Sequence, residues 1–176
     1  TITFTGTLRL AAGSNLVVNS STGGGAAITT GDIRGTGGET VTLNAGTGTV
    51  TAGLIGGGVE IGAVTFRSND IVLGGNITST GSVSFYTATG AQTMGIGGGA
   101  GLYGLSDAEI LFLVGATNVL IGEAAVQSGA ITVLTASFPA GLAALEVNSN
   151  AGAGSVTLDD GGIGTALALG SVGTLT

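Results

Sequence analysis

An apolar-x-apolar triplet returns about every 23 residues along this chain, on a background of Gly, Thr and Ala. The triplets begin at Leu16, Val41, Val64, Val83, Ile110, Ile131 and Val156. Self-similarity at this period is the signature of a solenoid, in which each repeat is too small to bury a face alone and must stack on its neighbours. In five of the seven triplets the middle residue is Thr or Ser. That alternation suits a strand with one face packed and the other in water.

Composition narrows the choice. The chain has 176 residues, 37 of them Gly, with 4% aromatic and 7% charged residues. An ordinary globular domain carries about 25% charged residues, so this is not one. Disorder requires low hydrophobicity with high charge or abundant Pro. Here 43% of residues are hydrophobic and Pro139 is the one proline, so an ordered stack of small residues is expected. We therefore expect an all-β chain, residues 1–176 forming one right-handed parallel β-helix of about seven coils of roughly 23 residues. The handedness comes only from the resemblance described below. At about 4.8 Å per coil, the stack would be roughly 35 Å long.

Glycine and asparagine corners separate the strands. Val41-Thr42-Leu43 is followed, after Gly46-Thr47-Gly48, by Val50-Thr51-Ala52, and Val64-Thr65-Phe66, after Ser68-Asn69-Asp70, by Ile71-Val72-Leu73. Asn19 and Asn44, each one residue past a triplet, are expected at corners. A capping-box pattern at Ser106-Asp107-Ala108-Glu109 predicts one helical turn. Expected inward positions are Val41, Leu43, Val64, Phe66, Val83, Phe85, Ile110, Phe112, Ile131, Val133, Val156 and Leu158; expected outward positions are Val17, Thr42, Thr65, Ser84, Leu111, Thr132 and Thr157. Strand-like sequence stands at both ends, Ile2-Thr3-Phe4-Thr5 and Ser171 to Thr176, with no polar cap. Such edges invite pairing with flanking coils of the same polypeptide or with identical copies stacked end to end.

The chemistry is sparse. There is no Cys, His, Lys or Trp, and Arg9, Arg34 and Arg67 are the only cations. Without His or Lys, nucleophile relays, Schiff bases and the phosphate-binding P-loop lysine are excluded. At net charge −7 the chain would repel nucleic acid and anionic membranes. No run approaches the roughly 18 apolar residues of a membrane span, so no insertion is expected. No charged segment leads into an apolar one, so the secretion signal of an exported chain would lie outside this sequence.

Asp159-Asp160-Gly161-Gly162 fits a turn better than a catalytic dyad, and the aspartates fall in no nine-residue calcium frame. Gly95 to Ala100 loosely matches a dinucleotide fingerprint but has no βαβ unit around it. Asn19-Ser20-Ser21 and Asn76-Ile77-Thr78 have the glycosylation pattern, as chance provides in a Ser/Thr-rich chain. Asp70, Glu60 and Tyr86 are the loose candidates for a polysaccharide groove. No catalytic, cofactor-binding or metal-ligating residue is expected, no cofactor, and no enzymatic activity.

Residues 38–53, 76–93, 105–110, 118–122 and 128–132 carry a degenerate strand-repeat style that resembles filamentous-haemagglutinin-like exoproteins. Those bacterial adhesins are exported by two-partner secretion, and autotransporter passenger domains are similar. The resemblance implies a right-handed parallel β-helix on or beyond the outer membrane, working as an adhesive fibre or stalk against host or matrix glycans and proteins. It carries no catalytic residue with it.

Overall fold

The computed structural model describes residues 1–162, 164–165, 167–169 and 173–176. Ser171 and Val172 of the strand-like C-terminal stretch therefore lie outside the described residues. The strands fall into seven successive passes of the chain. The first is β1 (Ile2–Phe4), β2 (Leu8–Arg9) and β3 (Leu16–Asn19); the second is β4 (Ile28–Thr30), β5 (Ile33–Arg34) and β6 (Thr40–Asn44). In the third and fourth passes the middle strand shrinks to a single bridge, giving β7 (Thr49–Ala52), Ile55 and β8 (Ala63–Ser68), then β9 (Asp70–Leu73), Ile77 and β10 (Thr78–Thr87). The fifth is longer: β11 (Met94–Gly97), β12 (Tyr103–Leu105), helix α1 (Asp107–Ile110), a 3₁₀ turn (Leu111–Leu113) and β13 (Gly115–Ile121). The sixth is β14 (Ile131–Leu134), β15 (Ala136–Phe138) and β16 (Ala144–Val147), and the seventh β17 (Val156–Asp159), β18 (Leu167–Leu169) and β19 (Thr174–Leu175).

Most strands pair in parallel with their equivalents in neighbouring passes, giving three ladders, of which the first is interrupted between β9 and β12. The last strands of the passes form one continuous seven-stranded sheet, β3-β6-β8-β10-β13-β16-β19. The first strands form β1-β4-β7-β9 and β12-β11-β14-β17. The middle ladder starts with β2 on β5, continues through Ile33, Ile55 and Ile77 to Phe112, whose carbonyl accepts from Ile77 N–H at 2.8 Å, and ends with β15 on β18. The inward residues of all three ladders merge into one core. Within it Phe66 and Phe85, on adjacent strands, stack with ring centroids 5.4 Å apart. Stacked aromatic pairs of this kind add about 0.5–1.5 kcal/mol beyond burial.

Side chains shape the corners. Asn19 and Asn44 are register partners, and their Oδ1 atoms accept from Ser21 N–H at 2.9 Å and Gly46 N–H at 3.1 Å. These are Asx turns, which bend the chain out of the ladder at the same height in successive passes. Gly46 then has φ +56°, and a Cβ there would lie 2.9 Å from Ser21 Cα.

The triplets do not share one column. Leu16, Val41, Val64 and Val83 are register partners, as expected. Val83, however, pairs onward with Val119, and Val119 with Leu145. Ile110 closes α1 and Phe112 lies in the 3₁₀ turn, while Ile131 and Val156 belong to the first-strand ladder with Met94. A period measured along the sequence does not distinguish which strand of a pass carries the triplet, and the extra residues of the fifth pass reset the count. Burial also departs from expectation in three places. Val156 and Leu158 are 42% and 56% exposed because no strand covers the outer side of β17 among the described residues. Phe112 is only half-buried. Ser84 is buried rather than outward, its short side chain lying between Thr65 and Leu120 in the ladder. The other nine expected inward residues are at most 1% exposed.

Candidate functional site

The chain's ten carboxylates are its only abundant reactive groups, and their positions decide what chemistry is open to it. Six accept backbone N–H groups. Glu39 accepts from Thr36 and Gly37, Asp70 from Gly104, Asp107 from Ser137, Glu109 from Leu73 and Ser106, Asp159 from Gly161, and Asp160 from Gly162. Asp32 pairs with Arg34, Glu123 with Arg67 and Glu146 with Asn148. Glu60 alone accepts no hydrogen bond among the described residues. A turn or ladder end leaves N–H groups unsatisfied, and a carboxylate is a strong acceptor for them.

Glu39 is the clearest case. Its side chain curls back over the loop before β6, where the Thr36 hydroxyl and the Gly37 and Thr36 N–H groups hold its carboxyl down at about 2, against some opposition from desolvation. Glu39 has no exposed surface. The negative form is what the loop is built around.

A second cluster sits where the first-strand ladder changes over from β9 to β12. No backbone ladder bonds join these strands; Asp70 Oδ1 on β9 accepts from Gly104 N–H on β12 at 3.1 Å, and Glu109 Oε1 on α1 accepts from Leu73 N–H on β9 at 2.9 Å. The other oxygen of Glu109 accepts from Ser106 N–H at 2.9 Å and Ser106 Oγ at 2.6 Å, closing the capping box of α1. Tyr103 is fully buried beside them. Burial first, then the negative charges of Asp70 and Glu109, push its phenol well above 10, while the neighbouring Ser68 hydroxyl acts in the opposite direction. Tyr103 Oη and Ser68 Oγ are both buried, yet neither completes a hydrogen bond of good geometry.

A third polar group lines a corner between ladders. Gln127 Nε2 donates to the carbonyls of Gln92 at 2.6 Å and Gly129 at 3.1 Å, its Oε1 accepts from Thr87 Oγ1 at 2.7 Å, and Ser149 Oγ donates to Gly129 O at 2.7 Å. These buried side chains satisfy corner carbonyls that lie too far apart for the ladder.

The loose groove candidates do not converge. Asp70 is committed to Gly104, Glu60 lies in the exposed loop before β8, and Tyr86 stands on β10 with the Arg67 guanidinium 5.2 Å from its ring centroid. Arg67 also donates to Glu123 at 2.6 Å, a partly exposed pair worth at most about 1 kcal/mol. Among the described residues, no three His, Cys, Asp or Glu side chains gather as a metal site would require. The Gly95 to Ala100 run serves backbone contact. A Cβ on Gly95 would lie 2.0 Å from Gly99 O, and one on Gly99 would lie 2.0 Å from Thr132 O.

The described residues also form a concave apolar surface. A groove of about 280 Å³ opens at the last pass, lined by Val147, Val156, Leu158, Leu167, Leu175 and Thr176. Its lining comes from β16, β17, β18 and β19 and the residue after β19. The sequence marked Val156 and Leu158 as inward, whereas among the described residues they are 42% and 56% exposed. Nor did it reveal the Asp70–Glu109 junction, since those residues are 39 positions apart; the one hint was the capping box at Ser106. Compared with protein-family models, curated proteins and solved structures, the chain matches none.

Proposed function

We propose that this chain is a structural element of a bacterial extracellular surface protein: a stiff right-handed parallel β-helix that acts as an adhesive rod or stalk. The parallel pairing of strands from successive passes, continuous through all seven in the last-strand sheet, is the observation that carries this reading. A strand that crosses over to a parallel neighbour nearly always does so in the right-handed sense, which favours that hand here. The rod reading also agrees with where the chemistry has gone. Nine of the ten carboxylates are engaged in turns, ladder junctions or pairs among the described residues, which supports a non-enzymatic role. The repeat style resembling filamentous-haemagglutinin-like exoproteins supplies the surface location and the partners, host or matrix glycans and proteins.

Two measurements test it. Small-angle scattering of the isolated chain should give a rod with a thin, constant cross-section, and an isometric particle would overturn the reading. Bacteria displaying the chain should adhere to matrix-coated or glycan-coated surfaces more than bacteria without it. Equal adherence would remove the adhesive part and leave a passive spacer.

A further inference from the structure

We infer that the outer face of the seven-stranded sheet carries a binding site for an uncharged pyranose, built on Tyr86 with Arg67 and Glu123 beside it. The inference rests on the adhesive reading and names the class of glycan for it. The first observation is where the aromatic residues have gone. The chain has five Phe and two Tyr. Phe66, Phe85, Phe138 and Tyr103 are buried in the core, and Phe4 and Phe112 pack against it. Tyr86 is the one that faces outward. It follows inward Phe85 on β10, is half-buried, and its hydroxyl has no hydrogen-bond partner among the described residues.

The second observation is what surrounds that ring. Tyr86 is the register partner of Arg67, whose guanidinium carbon lies 5.2 Å from the ring centroid. Arg67 belongs to the third pass and Glu123 follows β13 in the fifth, so their 2.6 Å ion pair spans the fourth, on which Tyr86 stands. The two side chains keep 28% and 33% of their surface exposed. An ion pair in that position adds little to stability, so it is free to serve a ligand. Asn44, the register partner of Arg67 on its other side, holds Gly46 N–H with Oδ1, and its amide nitrogen donates to nothing among the described residues.

A pyranose has an apolar C–H face and a rim of hydroxyls that both donate and accept. The Tyr86 ring suits the face, Arg67 and the Asn44 amide donate to the rim, and Glu123 accepts from it. Hydrogen bonds to such charged groups are the strong ones. Two features choose this occupant over others. The chain carries −7 and the charge of Arg67 is already matched by Glu123, which disfavours sulfated or carboxylated glycans. β8, β10 and β13 each have a neighbour on both sides, so a peptide strand finds no edge to join there.

Titration calorimetry with oligosaccharides of glucose, galactose, mannose and N-acetylglucosamine tests the site, with heparin as the anionic comparison. One or more of the neutral sugars should bind and heparin should not. Tyr86→Ala should weaken binding roughly tenfold or more, and Arg67→Ala and Glu123→Gln severalfold, with thermal midpoints unchanged. Thr51→Ala, on the outer face of β7, should bind as the unaltered chain does. Tyrosine emission gives a readout that keeps the ring in place, because the chain has no Trp and Tyr103 is buried. Saturating sugar should alter the emission of the unaltered chain and of Tyr103→Phe, but not that of Tyr86→Phe. Binding of none of these sugars, binding of heparin alone, or binding that survives Tyr86→Ala overturns the site. Adherence of bacteria displaying the chain separates the two failures: adherence to protein-coated surfaces without sugar binding removes this site and keeps the adhesive reading, whereas loss of both removes the reading as well.

Discussion

The first four passes and the fifth solve the same stacking problem in different ways. From β1 to β9 the first-strand ladder is held by backbone hydrogen bonds, and the side chains need only alternate inward and outward. At the fifth pass the chain makes β11, turns back through Gly98 to Leu102 and lays β12 beside it in parallel, between β11 and the β9 end of the ladder. Parallel neighbours ordinarily need a connection of about a dozen residues. This return is shorter because glycine lets backbone rest on backbone. The ladder is broken at that point, and Asp70, Glu109 and the packed Tyr103 replace it. Meanwhile the last-strand ladder crosses the insertion with a single irregularity between Ser79 and Ser82. An interruption is tolerated in one ladder because another carries the register past it.

The comparison breaks most sharply in the regular stack. Phe66→Asp buries an unpaired charge beside Phe85 and should cost more than about 4 kcal/mol, enough to unfold neighbouring passes. Thr65→Asp, one position away on the outer face, should stay within about 1 kcal/mol. Chemical denaturation of both variants checks this, and equal losses would contradict the facing of β8.

Next in size is the glycine contrast. A Cβ on Gly101 would lie 2.2 Å from Gly95 N and 2.3 Å from Met94 C, whereas on Gly74 its nearest neighbour would be Ala52 O at 3.5 Å. Gly101→Ala should therefore destabilise by about 3 kcal/mol, and Gly74→Ala by less than about 0.5 kcal/mol. Thermal midpoints would separate the two.

Smaller again is the carboxylate junction. Asp70→Ala leaves Gly104 N–H without its acceptor and should cost about 1–2 kcal/mol. Its effect should be local, with hydrogen exchange rising at Gly104 and Leu105 while β4 and β7 keep their protection.

Titration sharpens the contrast from both ends of the pH scale. Glu39, in the regular region, has a carboxyl lowered from 4.5 to about 2. Its contribution to stability is present above pH 4.5 and is lost as pH falls towards 2. Tyr103, in the fifth pass, has a phenol raised above 10, so its contribution is present below pH 10 and is lost as pH rises beyond that. Denaturation midpoints across pH should show Glu39→Gln removing part of the acid limb and Tyr103→Phe part of the alkaline limb. At pH 7 Tyr103→Phe should be neutral or slightly stabilising, since it deletes a buried hydroxyl without a partner.

Much of the regular region was legible before any coordinates. Alternation at Val41-Thr42-Leu43 and Val64-Thr65-Phe66 sets the buried face, because the strand period is two whatever the ladder. Asn19 and Asn44 declared their corners through a side chain that bonds to nearby backbone. The fifth pass was not legible in the same way. Ile110-Leu111-Phe112 satisfies the strand pattern, yet Ser106 and Glu109 cap a helical turn just ahead of it, and a short apolar run does not say which will prevail. The candidate groove was half visible: Val156 and Leu158 read as buried, and they pair with buried Ile131 and Val133, yet both are exposed among the described residues.

Sequence alone determined that this chain stacks short strands, which residues turn to the interior, and how little chemistry it carries, since all three follow from local alternation and composition. Only the tertiary structure decided which triplets share a ladder, that Asp70 bonds across the break in one ladder with Glu109 beside it, and that Ser84 is buried and Phe112 only half-buried. Those depend on contacts between residues tens of positions apart, and no local pattern records which backbone group a distant carboxylate will meet.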